Sequence, residues 1–291
     1  MADCGGAITG PSHKPNDDLK PDTVRPRLEG RSVVVTRARA QADDITAGIE
    51  ALGGTVIHCP TIEFTGPSNP APLDSAINRL ETFEWIVFAS ANAVTFFFDR
   101  LNQIRADGVA STVGLVTCAI GPATAKTLLR AGVEADLVPE VATSEGALAA
   151  IVEYAGSQEA LSGVRFLIPR ARVAREVLPA ELGRLGALVE AVEAYQTIQP
   201  TIDTGKIIAL LEEGAIDAIT FTSPSTVSNF ALLVGTQDLS RLLANCVAAC
   251  IGPVTAATAR EYGLLNPIQP EKHTSASLVE VIASSLSERR T

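Results

Sequence analysis

Short Val- and Ile-rich runs alternating with segments of helical period predict an α/β fold built on parallel sheets. Two further observations shape that prediction. The alternation restarts midway along the chain, and the matching pieces keep a nearly constant offset. From Arg31 onward the expected strands are RSVVVT (31–36), TVIHC (55–59), TIEF (61–64), WIVFA (85–89) and TVGLVTCAI (112–120), with a short one over 135–138. Helices are expected over 40–52, 72–82 and 92–101, after Pro122, and from Ser144. The strands are short Val/Ile-rich runs alternating with helical segments, the pattern of a parallel sheet covered on both faces.

The restart is read by aligning the halves. VVVTRARAQADDITAGIEALGGTVIHCPTIEF matches RFLIPRARVAREVLPAELGRLGALVEAVEAYQTI, with Arg37 on Arg170 at an offset of 133. WIVFASANAV matches AITFTSPSTV with Ser90 on Ser223, again at 133. AIGPATAKTLLRAGV matches CIGPVTAATAREYGL with Gly121 on Gly252, and VPEVATSEGALAAIV matches IQPEKHTSASLVEVI with Ser144 on Ser275, both at 131. One Gly-Pro before a helix is ordinary punctuation. Four registers within two residues predict an internal duplication.

At 291 residues the chain is long enough for two domains, each with its own core. A net charge of −10 argues against nucleic acid as a partner, since phosphate contacts need a clustered basic surface. It does not exclude an anionic small ligand, because backbone amides at helix N-termini bind anions without adding formal charge. The five cysteines are scattered and form no C-x-x-C pair, so they read as core thiols of a reducing cytoplasm, with no metal site. Without an apolar run of about 18 residues, a signal peptide or a transit composition, a soluble cytoplasmic protein with no membrane partner is expected (plastid stroma in a plant). Residues 1–29, rich in Pro, Gly and charge, are expected to be a disordered lead.

All four repeated motifs fall where a strand ends and a helix begins, the edge at which open α/β sheets bind ligands. That selects Ser90, Ala91 and Asn92; Gly121, Pro122 and Thr124; Ser144; Ser223, Pro224 and Ser225; Gly252, Pro253 and Thr255; and Ser275 as candidate binding residues. Ser90, Ser144, Ser223 and Ser275 also read as N-caps, a role that needs no ligand. Arg37 and Arg170, just past strand ends, read either as forks for a ligand carboxylate or as solvated loop residues. No phosphate loop, dinucleotide fingerprint, nucleophile elbow or zinc-protease motif is present, and three histidines make a Ser-His-Asp triad improbable. His273 lies in the last motif, near the expected cleft. Tyr195, in EAYQT, reads as a proton donor or as an aromatic packed against TIEF.

Taken in order, the TR after the first strand, ASANAV, AYQT, FTSPS, IGPVTA and HTSAS resemble the uroporphyrinogen-III synthase family, over about Arg31 to Leu286. The resemblance implies two flavodoxin-like parallel-sheet domains joined by a two-stranded β-ladder. It places one domain at 30–62 plus 198–291, the other at 82–190, and crossing segments at 63–81 and 191–197, with TIEF and EAYQT as ladder strands. It also implies a monomeric, cofactor-free enzyme that cyclises hydroxymethylbilane, a substrate with eight carboxylates, to uroporphyrinogen III with inversion of ring D and loss of water. Substrate hand-over from hydroxymethylbilane synthase belongs to the same expectation. Tyr195 matches a tyrosine that assists hydroxyl departure, and Thr255 a hydroxyl residue near the substrate. The halves differ, with SAN against SPS and a tyrosine in only one crossing strand, so the two rims should not play equal roles. The competing readings are a non-catalytic two-domain binder of an anionic ligand and a regulatory homologue that senses a tetrapyrrole.

Overall fold

The computed structural model describes residues 27–174 and 176–288. In chain order these form β1 (Ser32–Val35), α1 (Asp43–Ala51), β2 (Thr55–His58), β3 (Glu63–Thr65), α2 (Ala71–Ile77), β4 (Trp85–Phe88), α3 (Ala91–Ile104), β5 (Val116–Ala119), α4 (Pro122–Arg130) and α5 (Ser144–Ala155). There follow β6 (Arg165–Ala171), α6 (Val177–Arg184), β7 (Leu188–Ile198), α7 (Thr204–Glu212), β8 (Ala218–Phe221), α8 (Pro224–Val234), β9 (Val247–Cys250), α9 (Pro253–Glu261) and α10 (Ser275–Glu288).

Two sheets result. One runs β2-β1-β8-β9, all parallel; the other runs β3-β7-β6-β4-β5, parallel except for β3. Strands with the same motif stand at the same place in each order: β1 with β6, β2 with β7, β8 with β4, and β9 with β5. Even the single bridges that extend each sheet correspond, Cys118 to Leu137 in one and Ala249 to Ile268 in the other. The short strand expected over 135–138 is that one bridge, with no ladder of its own.

Period-2 alternation divides each sheet into two apolar layers. In the first sheet Val33 and Val35 pack under α1 and α10, while Val34 faces the opposite layer with Ile219 and Phe221 under α7, α8 and α9. In the second, Ile86 and Phe88 pack under α2, α3 and α4, and Trp85 and Val87 under α5 and α6. Leu28 is fully buried in the α1/α10 layer and its amide donates to the Leu52 carbonyl. The lead expected to run to residue 29 therefore stops short: 27–29 belong to the fold, because Leu28 caps an otherwise open core edge, and 1–26 lie outside the described residues.

The ladder is β3 against the far end of β7, antiparallel, with Glu63 opposite Ile198, Phe64 opposite Thr197 and Thr65 opposite Gln196. The near end of β7 pairs with β6, so one unbroken strand serves both sheet and ladder. Among the described residues no helix is long and apolar enough to cross a membrane.

Candidate functional site

Neighbouring strands β4 and β6 send their chains to helices on opposite faces, α3 and α6, which opens a crevice above their C-terminal ends. Neighbours β1 and β8 do the same with α1 and α8. Such switch points are where doubly wound sheets bind ligands. Ser90 lies past β4, and Ser223 and Arg37 past β8 and β1; Arg170, expected just past its strand, is instead the last residue but one of β6, because pairing with β7 continues to Ala171.

Tyr195, on β7 beside β6, is 8% exposed and its ring is held from two sides. Phe96 of α3 stacks on it at 5.6 Å, and Phe64 of β3 meets it edge-on at 5.9 Å. Its hydroxyl lies 3.1 Å from Ser90 Oγ, and either oxygen can donate. The ring thus packs against TIEF, as one sequence reading of Tyr195 expected, while the hydroxyl reaches the rim.

The serines divide. Ser90 and Ser223 are N-caps: Ser90 Oγ accepts from the Ala93 amide at 3.1 Å, and Ser223 forms a capping box with Thr226. Ser144 and Ser275 are not, contrary to the expectation. Thr143 Oγ1 accepts from the Gly146 amide at 3.1 Å and Thr274 Oγ1 from the Ser277 amide at 3.2 Å, which makes each serine the first helical residue. In a Thr-Ser pair the extended residue is the cap, and here the Thr keeps the extended backbone, with φ −126° and ψ 168° at Thr143.

The Gly-Pro helices are uncapped. Neither Gly121 nor Gly252 offers a side chain to α4 or α9, and Pro122 and Pro253 have no N–H. Ala125 and Ala256 donate to the glycine carbonyls. The Ala123, Thr124, Val254 and Thr255 amides have no acceptor among the described residues, and no acidic side chain lies in either first turn. Unpaired N–H groups at a helix start are suited to an anion. The two glycines differ in what they allow. Gly121 takes φ +94°, whereas Gly252 is extended but lies under His273, whose ring a methyl would meet at 3.0 Å. Thr124 and Thr255 are both 3% exposed; Thr124 Oγ1 donates to the Ile120 carbonyl at 3.1 Å, and Thr255 makes no such bond.

Ala91 and Pro224 begin α3 and α8, and Ser225 follows with its hydroxyl 2.9 Å from Ser223 Oγ. Asn92 reaches the other sheet's rim, where its Oδ1 accepts from Gln41 Nε2 at 3.3 Å. The arginines are less free than expected. Arg37 Nε makes a long 3.5 Å contact with Gln41, while Arg170, 13% exposed, is ion-paired to Glu176 at 2.7 Å and donates to the Ala174 carbonyl. Sequence reasoning passed over their neighbours Arg39 and Arg172, both exposed, although the repeat marks them: TRAR and PRAR carry the second arginine in register.

A family model described as uroporphyrinogen-III synthase HemD matches residues 43–280. The uroporphyrinogen-III synthase of Synechococcus elongatus is 33% identical over 248 residues, covering 84% of this chain and 90% of that protein. That of Chlorobaculum parvum is 28% identical over 257 residues, 88% of this chain and 99% of its own. Among solved structures, a mutant uroporphyrinogen III synthase from Thermus thermophilus gives a TM-score of 0.50 at 18% identity, over 90% of this chain and 100% of that one. The Helicobacter pylori uroporphyrinogen-III synthetase gives 0.50 at 18%, over 88% and 99%. At that identity the structural likeness bears on fold alone.

Proposed function

The chain belongs to the uroporphyrinogen-III synthase family, and from that premise we propose that its two strand-end rims receive hydroxymethylbilane while Tyr195 assists loss of the hydroxyl. The activity is that of a cyclising hydro-lyase of tetrapyrrole biosynthesis. Carboxylates of the bilane would lie on the free amides of Ala123, Thr124, Val254 and Thr255, which hold negative charge at fixed points without a cluster of cations. This suits a chain of net charge −10 to a polyanionic substrate.

The observation that carries the reading is the Tyr195 hydroxyl, fixed 3.1 Å from Ser90 on a ring that cannot swing away. As the C–O bond of the hydroxymethyl group breaks, the phenol gives its proton to the departing oxygen, which leaves as water. The resulting protonated azafulvene is attacked by ring D, and the rims hold the chain in the geometry for the spiro step rather than for direct closure. Direct closure is the spontaneous route to isomer I.

The domain limits 30–62 plus 198–291 and 82–190, and descent of both sheets from one duplicated unit, belong to the same reading. Their support is the position-by-position match of the two strand orders. We also read the chain as a monomer supplied directly by hydroxymethylbilane synthase.

The test is the isomer ratio formed from hydroxymethylbilane. Catalysis gives isomer III in excess, whereas a mere binder leaves isomer I. Tyr195→Phe keeps both ring contacts and loses the hydroxyl, so turnover should fall by about 100-fold, the scale of general-acid catalysis. Full turnover with an unchanged pH profile would leave Tyr195 a packing residue only.

A further inference from the structure

We propose that Arg172 grips a carboxylate on the pyrrole that bears the hydroxymethyl group, holding the leaving oxygen at Tyr195. The inference rests on the role given to Tyr195 above. Three observations carry it.

The first is placement. The β6–β7 register slips between Arg170 and Ala171, so that Arg170 lies opposite Glu193 but Ala171 opposite Tyr195. Such a bulge re-aims the residues beside it. Directly after it the Arg172 amide donates to the Tyr195 carbonyl at 2.8 Å. Arg172 is therefore fixed by backbone to the residue that carries the phenol, at the strand end flanking the switch-point crevice.

The second is availability. The guanidinium is exposed and makes one long bond, from Nη1 to Gln196 Oε1 at 3.3 Å. No described carboxylate pairs with it. Arg170, two residues earlier, is already ion-paired to Glu176 at 2.7 Å and also donates to the Ala174 carbonyl, so more of its fork is engaged. The third is pre-orientation: Gln196 is itself tied into the ladder opposite Thr65, and its Nε2 contacts the Gly66 carbonyl at 3.4 Å, so the side chain that steers Arg172 has a fixed base. A planar fork with most of its donors unused, on the residue whose amide is bonded to the Tyr195 carbonyl, matches one carboxylate in two-point contact.

The four pyrroles carry eight carboxylates, two to each ring. If Tyr195 faces the hydroxymethyl group, the ring bearing it is the one whose acid side chains Arg172 meets. Arg172→Gln should raise KM for hydroxymethylbilane about tenfold, the scale of a lost charged hydrogen bond, with kcat changed much less. Arg172→Lys should restore part of the loss, because it returns the charge without the fork. A bilane analogue with methyl groups in place of the two acid side chains on the hydroxymethyl-bearing pyrrole should show the same KM with wild type and with Arg172→Gln. Circular dichroism melting of each variant checks that the fold is kept, as an exposed site predicts.

An unchanged KM in Arg172→Gln would overturn the assignment. So would a Lys variant no better than Gln, or a KM penalty that persists on the methyl analogue. These outcomes are separable from failure of the premise: isomer I alone from wild type removes the catalytic reading, and undiminished turnover in Tyr195→Phe removes the phenol's role.

Discussion

Burial sets the chemistry of single residues here, and His58 is the clearest case. It ends β2, and its Nδ1 is buried without a hydrogen-bond partner. Desolvation holds its imidazole below the usual range, Arg39 adds to the depression, and Glu50 and Asp43 oppose it. The unfolded chain then takes up a proton at higher pH than the folded one. Stability is thus complete above about pH 6.5 and falls as pH drops through the lower folded value. His58→Phe keeps a ring and removes the titration, so its melting temperature should fall less than that of wild type between about pH 7 and about pH 5. A parallel decline of both proteins would count against this. The thiols of Cys59, Cys118 and Cys250 are pushed up to about 12 by burial. The native protein should leave these three unlabelled by a thiol reagent at mild pH, and denaturant should release them. Labelling of any of the three in the native state, read by peptide mass mapping, would refute the core assignment.

Helix starts show what the sequence could and could not disclose. The motifs located both rims, because Gly, Pro and hydroxyl residues at a strand-to-helix turn follow from local backbone geometry. Which residue of Thr143-Ser144 or Thr274-Ser275 is the cap depends on where the chain leaves the extended region, a one-residue matter fixed by packing beneath the helix. Accordingly Thr143→Ala should cost about 1 kcal/mol of stability and Ser144→Ala only a few tenths, measured by denaturant unfolding. The reverse order would restore the serine as cap. Arg37 and Arg170 were legible as strand-end arginines, but Glu176 neutralises Arg170 from the start of the next helix, a tertiary pairing no spacing rule announces. The register slip that brings Ala171 opposite Tyr195 was equally hidden, because one strand's sequence does not reveal a slip against its partner. The buried strands were the readable part: β4, β8 and β9 are apolar at every position but one, Thr220, as strands covered on both faces are.

At the scale of the molecule, the two sheets are joined by a ladder of three residue pairs. Between the rims, the side-chain hydrogen bond found among the described residues is Gln41 to Asn92, 3.3 Å long and near solvent. An amide pair of that length contributes no more than about 1 kcal/mol, and water competes for both partners. Each sheet has its own two apolar layers, so neither interior depends on the angle between them. Low resistance at the joint and high resistance within each sheet together predict hinge motion with Glu63–Thr65 and Gln196–Ile198 as pivot. A substrate whose carboxylates are shared between rims binds the closed arrangement better than the open one, and that difference in affinity is what drives closure. Small-angle scattering should show contraction when uroporphyrinogen III is added. Gln41→Ala should widen the unliganded distribution without altering the melting of either sheet. A single arrangement that fits the data with and without ligand would mean that the rims are preset, and the selectivity against isomer I would then have to come from the fixed crevice alone.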